Sequence, residues 1–182
     1  MERGGSVRCV QERGEDAVRN AVRCYKEADV DAVKLEGGVA VADKIRAIVN
    51  AGMVVFGHIG LTPQSSASMG GFKAQGRTTG SARAIIEDAI AVYKAGARVL
   101  LLEGVPEEVC AYIHRMLPIP VYGIGAGADC DGQVLLAADA LGMYKSFTPK
   151  FAKKYADIAG LATQGMSDYI REVNAGEVPG PE

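Results

Sequence analysis

Apolar runs that stop at a polar residue or glycine and then give way to a helical pattern recur along this chain, and that recurrence narrows the folds open to it. The clearest are Ala32-Val33-Lys34-Leu35-Glu36-Gly37-Gly38 and Val99-Leu100-Leu101-Leu102-Glu103-Gly104, each ending in a carboxylate followed by glycine. Strands of this kind, each followed by a helix, predict a parallel sheet whose functional edge lies at the strand C-termini. Residues i and i+2 of a strand face the same way, so Lys34 and Glu36 point together. A purely structural ion pair there would be partly desolvated for little net stability, which favours a functional pocket rimmed by Lys34, Glu36 and Glu103. The plainer reading is that each acid marks where a strand emerges into water.

Hydrophobic spacing predicts a helix over 15–28, a strand over 31–36, a helix over 39–51 and a strand over 53–57 ending at His58. A long Gly, Ser, Pro and Gln segment, 60–79, follows as a loop or lid. Beyond it come a helix over 80–95, a strand over 98–103, a helix over 107–117, a strand over 119–124 and one more strand over 134–137. Two helices, 149–162 and 165–175, close the pattern. Five strands fall short of the eight of a (β/α)8 barrel, so the chain reads as an open α/β sheet or part of a barrel.

The chain has 182 residues, 48% of them hydrophobic, enough for a sizeable core in a single domain over 1–182. Segment 1–13 is atypical and 176–182 reads as a flexible tail. A formal charge of -2, scattered Lys and Arg and no Trp argue against nucleic acid or an anionic membrane as partner. No apolar run approaches a membrane span and no secretory signal follows Met1, so the expected location is cytoplasmic. Cys9, Cys24, Cys110 and Cys130 lack C-x-x-C spacing, and His58 and His114 are far apart, which supports neither a zinc knuckle nor a disulfide framework. The cysteines read as free thiols.

A carboxylate at a divalent metal, a nearby lysine and a second carboxylate across the pocket form a set for abstracting a proton next to a carbonyl. Glu103 is then the base, Glu36 the metal ligand and Lys34 a stabiliser of the enolate. Only oxygen ligands are in view, which favours Mg2+ over zinc. His58, among small residues, either hydrogen-bonds substrate or is structural. Gly123, Gly125 and Gly127 do not complete G-x-G-x-x-G, so turn geometry or close packing accounts for them.

Longer motifs make a specific resemblance. Lys34-Leu35-Glu36-Gly37-Gly38, Gly57-His58-Ile59-Gly60-Leu61-Thr62-Pro63-Gln64, Leu102-Glu103-Gly104-Val105-Pro106, and Gly123-Ile124-Gly125-Ala126-Gly127 followed by Cys130-Asp131-Gly132-Gln133 occur in order. Together with Gly71-Phe72-Lys73-Ala74-Gln75-Gly76-Arg77-Thr78, Lys150-Phe151 and Lys154-Tyr155, this set resembles the ketopantoate hydroxymethyltransferase family from about Glu15 to Tyr155. The resemblance implies a TIM-type barrel enzyme of pantothenate and coenzyme A biosynthesis. It implies transfer of a hydroxymethyl group from 5,10-methylenetetrahydrofolate to the keto acid 3-methyl-2-oxobutanoate, giving 2-dehydropantoate, with Mg2+ beside the keto acid. Carried over by position, Glu36 matches the metal carboxylate, Lys34 the substrate-binding lysine, Glu103 the proton-accepting base and His58 a pocket-lining position. A homo-oligomer is implied as well.

The front of the chain departs from that pattern. Family members begin with three further strands bearing Gly-Asp-Ser and a second Asp, and nothing of the kind precedes Lys34. An incomplete barrel from a truncated or frame-shifted reading is the expectation, with weak or no activity when alone. Two alternatives stand beside it: a Mg2+-dependent keto-acid lyase of the same barrel type, and a non-catalytic remnant acting as an assembly partner.

Overall fold

The computed structural model describes residues 14–146 and 149–180, so segment 1–13 lies outside the described residues. These residues fall into two compact units, one ending at Val134 and the other beginning at Leu135. The first opens with α1 (Gly14–Ala28), whose Ala17 and Ala21, four residues apart, are buried on one face. Glu15 and Asp16 in its first turn and Lys26 in its last complement the helix dipole. Tyr25 ties the helix to the sheet: its hydroxyl donates to the Asp31 carbonyl at 2.6 Å and accepts the Val54 N–H at 2.8 Å.

The chain then alternates β1 (Ala32–Glu36), α2 (Ala42–Asn50), β2 (Val54–Gly60), α3 (Thr79–Lys94), β3 (Val99–Glu103), α4 (Glu107–Met116), β4 (Val121–Ile124) and β5 (Gly132–Gln133). A 3-10 turn at Val39–Val41 leads into α2. Helix α3 starts where the sequence commands it, at a Thr78/Ser81 capping box in which each side chain takes the other's backbone N–H. The strands pair in parallel in the order β1-β2-β3-β4-β5. Sequential order without reversal is the topology of a (β/α) barrel, whereas doubly wound sheets switch direction partway. The fold is therefore α/β, five consecutive parallel strands of a barrel-type sheet that is not closed among the described residues.

Successive strand residues face opposite sides, and the two sides differ. Val33, Leu35, Val55, Ile59, Leu100 and Leu102 turn toward the helices and join Ile45, Ile48, Val92, Cys110 and Ile113 in the core. Each such large apolar side chain contributes roughly 1.5–3 kcal/mol when fully buried. The opposite side carries Lys34, Glu36, Phe56, His58, Leu101, Glu103 and Tyr122 by the same alternation and register.

In the second unit, the buried Asp139 of the short helix α5 (Ala137–Ala140) takes the Tyr144 hydroxyl hydrogen bond. A longer helix, α6 (Ile158–Ala175), begins where the Asp157 carboxylate accepts the Gly160 N–H at 3.1 Å and ends at Gly176 in the left-handed region.

Three sequence expectations need correction. The strand expected over 134–137 is the shorter β5, one step upstream, because the Asp131 carboxylate takes the Val121 N–H at 2.7 Å and fixes the pairing there. The two helices expected over 149–162 and 165–175 are one, α6. The Asp157 cap delays its start, and Gly165, which nothing crowds, is carried inside it. His58 lies within β2, two residues before its end.

Candidate active site

Register brings the candidate residues together. Glu36 lies directly opposite His58, while Glu103 lies opposite Gly60, two residues further along the strand that carries His58. His58 thus stands between the carboxylates of its two neighbouring strands, on one side of the sheet. Its Nδ1 is 3.6 Å from Glu36 Oε1 and its Nε2 is 3.1 Å from Glu103 Oε2. The side chains of His58, Glu36 and Glu103 are only 1%, 7% and 14% exposed. Both imidazole nitrogens are buried without a well-aligned hydrogen bond among the described residues, despite a carboxylate near each. Buried polar atoms left in that state are uncommon in structural cores, and a catalytic or binding role is one of the reasons for them.

Glu36 is engaged on both oxygens. Oε1 is 3.5 Å from Lys34 Nζ, on a half-exposed side chain, and Oε2 accepts the Gln64 N–H at 3.0 Å. Gln64 belongs to the 3-10 turn Pro63–Ser65, so the segment after β2 folds back over the carboxylate. That segment is also pinned beside Glu103: Leu61 N–H donates to the Glu103 carbonyl at 2.7 Å and Gln75 N–H to the Gly104 carbonyl at 2.8 Å. The sequence marked this stretch as functional by its length, while Gln64's particular partner was missed because a backbone donor leaves no signature in side-chain type.

A second missed residue is Asp88 of α3. Its carboxylate accepts the Val39 N–H at 2.8 Å, just past the Glu36-Gly37-Gly38 strand end. A Cβ on Gly38 would collide with the Asp88 carboxylate, so glycine is required by the close approach. Burial raises the Asp88 carboxyl above its ordinary value, the Val39 N–H opposes the rise and Glu87 adds to it.

Beside the outer edge of β1 is an open groove of about 170 Å³ lined by Ala17, Ala21, Val33 and Leu35, with Lys34 and Glu36 among its polar residues. Edges of parallel sheets are ordinarily paired or covered, and no described strand pairs with this one. The oxygen ligands for a metal are also few: among the described residues no group of three or more His, Cys, Asp or Glu is arranged to hold a metal ion. Glu36 alone does not make the near-octahedral oxygen set that Mg2+ demands, so the expected ion does not fit this residue set by itself.

The described residues thus define a barrel-type α/β chain with a lysine, two acids and an imidazole gathered on one side of the sheet at its strand C-termini. The chain belongs to the ketopantoate hydroxymethyltransferase family, whose model matches residues 6–181. That match begins ahead of Glu15, where the motifs alone had placed its start. It is 58% identical to the 3-methyl-2-oxobutanoate hydroxymethyltransferase of Alkaliphilus metalliredigens over 91% of this chain and 58% of that protein. It is 52% identical to the enzyme of the same name from Clostridioides difficile, over 91% of this chain and 60% of that one. The chain therefore spans a little under two thirds of the length of these relatives. Among solved structures, phosphonopyruvate hydrolase aligns with a TM-score of 0.47 at 13% identity, over 93% of this chain and 59% of that one. No described helix is long and apolar enough to cross a membrane.

Proposed function

We propose that Lys34, His58 and Glu103 serve the transfer of a hydroxymethyl group from 5,10-methylenetetrahydrofolate to 3-methyl-2-oxobutanoate, giving 2-dehydropantoate. The observation that carries this reading is the row Glu36, His58, Glu103, buried across three adjacent strands in a chain of this family. Glu103 takes the proton from C3 of the keto acid. The C–H electron pair moves into the C2–C3 bond and the charge to oxygen, and C3 then bonds to the folate-borne carbon. Both carbon–nitrogen bonds to folate break, one water supplies the product hydroxyl, and tetrahydrofolate leaves with the C3 proton and one proton of that water on its two nitrogens. Lys34, half-exposed beside Glu36, offers an ammonium to the substrate carboxylate or the developing enolate. His58, held between two acids, fixes the direction in which Glu103 points. Glu36 is the position the resemblance gives to Mg2+, and since the described residues do not complete such a site, no step here runs through the ion.

The test is an assay of the purified 182-residue chain, alone and mixed with a separately expressed segment of the Alkaliphilus relative covering the part of that protein not matched here. We expect no turnover alone, turnover on mixing, and loss of that turnover in Glu103→Gln. Turnover that survives Glu103→Gln would remove Glu103 from the role of base. A complex that forms without turnover would instead support a non-catalytic assembly partner.

A further inference from the structure

Cys110 and Cys130 form a thiol pair that the reaction above does not use. Cys110, fully buried on α4, donates through Sγ to the carbonyl of Asp129 at 3.8 Å, the residue directly before Cys130. Cys130 is half-buried in the connection from β4 to β5, and its Sγ lies over β4, where a Cβ on Gly123 would stand 3.1 Å from it. A side chain at Gly123 would push this thiol away from the sheet by a few tenths of an ångström. The same two elements are clamped from outside: His114 Nε2 is 3.3 Å from Asp131 and Arg115 Nη1 is 3.4 Å from Asp129. The pair is thus held together by the docking of α4 on the connection.

We propose that Cys110 and Cys130 are a redox modification site, closing to an intrachain disulfide when the chain meets a peroxide and staples α4 to the β4–β5 connection. The two thiols are not equivalent. Burial, and then the neighbouring Cys130, push the Cys110 thiol up to about 12, so it is not the first to react. Cys130 is the less enclosed of the two: its Sγ accepts an N–H from Gln133 Nε2 at 3.1 Å and donates to the Gly132 carbonyl at 3.2 Å. Cys130 sulfur attacks one peroxide oxygen: the S–O bond forms, the O–O bond breaks, and hydroxide leaves with the thiol proton as water. Cys110 sulfur then attacks the sulfenic sulfur: the S–S bond forms, the S–O bond breaks, and hydroxide leaves with the second thiol proton as water. Two thiols are oxidised and one peroxide is reduced.

The experiment exposes the 182-residue chain to hydrogen peroxide, blocks remaining thiols under denaturing, non-reducing conditions and maps the peptides by mass. The expected result is a fall from four free thiols to two, a peptide linking Cys110 to Cys130 with the loss of two hydrogens, and full return of both thiols with dithiothreitol. In Cys110→Ala, Cys130 should be trapped by a sulfenic-acid reagent instead. Cys110 recovered as a free thiol while Cys130 carries sulfinic or sulfonic oxygen, or is joined to Cys24 of another chain, would overturn the proposal. The map of the parent chain decides this even where a variant fails to fold.

Discussion

His58 occupies a place where almost any other side chain would be costly. Two carboxylates approach its ring from neighbouring strands, and all three groups are nearly shut off from water. A leucine of similar bulk would set an apolar group against both acids in place of a polar one, and burying a polar group in apolar surroundings costs about 1–3 kcal/mol or more when charged. His58→Leu should therefore lower the urea midpoint by a matching amount, and a midpoint equal to the parent's would show that the imidazole holds neither acid. Asp88 makes a different residue-scale case. Its folded-state pKa lies above the unfolded value, chiefly through burial, so its contribution to stability is fully present below pH 3.8 and is lost as pH rises through the raised value. Asp88→Asn keeps an oxygen for the Val39 N–H and does not titrate. The variant should gain on the parent in urea midpoint as pH rises from 3.8 toward neutrality, and parallel profiles would sink the argument.

Elements were legible where periodicity was strong and local. Strands β1 to β4 and helices α1 to α4 appear close to where apolar spacing put them, because alternation of burial and the switch to helical spacing are written in side-chain type. The end of the β4–β5 connection was not, since β5 is only Gly132–Gln133 and its position is set by a side chain reaching across to another strand. The site divides similarly: Lys34, Glu36 and Glu103 announced themselves as charges on apolar strands, whereas the contact of His58 with both acids depends on register, which no single strand encodes. The Asp131 bond gives this scale its prediction. The Val121 N–H, with His114 behind it, holds the Asp131 carboxyl below its ordinary 3.8, so its support of the pairing is present above that pH and lost as pH falls through the lower folded value. Asp131→Ala should abolish that dependence and speed amide exchange at Val134, whose N–H donates to the Gly123 carbonyl at 2.8 Å across the same pair of strands. Exchange at Val134 unchanged from the parent would mean that the short strand stands without this anchor.

At the scale of the whole molecule, the two sides of the sheet ask for different surroundings. The helix side is packed, while on the site side Val54, Phe56 and Tyr122 are 39%, 38% and 36% exposed. Parallel sheets are ordinarily buried on both faces, and in a closed barrel the inward side chains fill the interior in layers. These three apolar residues share a side of the sheet with Lys34 and Glu36, and the outer edge of β1 is unpaired among the described residues, an arrangement suited to further strands. Left bare, such a surface favours association between copies, because contiguous exposed apolar area and unpaired strand edges recruit one another. The isolated chain should therefore scatter light and bind a hydrophobic dye in a concentration-dependent way, and Phe56→Thr with Tyr122→Thr should reduce both. The same double variant should weaken reconstitution with the complementary segment of a relative, because it removes apolar area from the barrel interior without touching Lys34, His58 or Glu103. If it instead improved solubility and left reconstituted turnover at the parent's level, Phe56 and Tyr122 would be surface residues and not part of the wall against which the complementary segment packs.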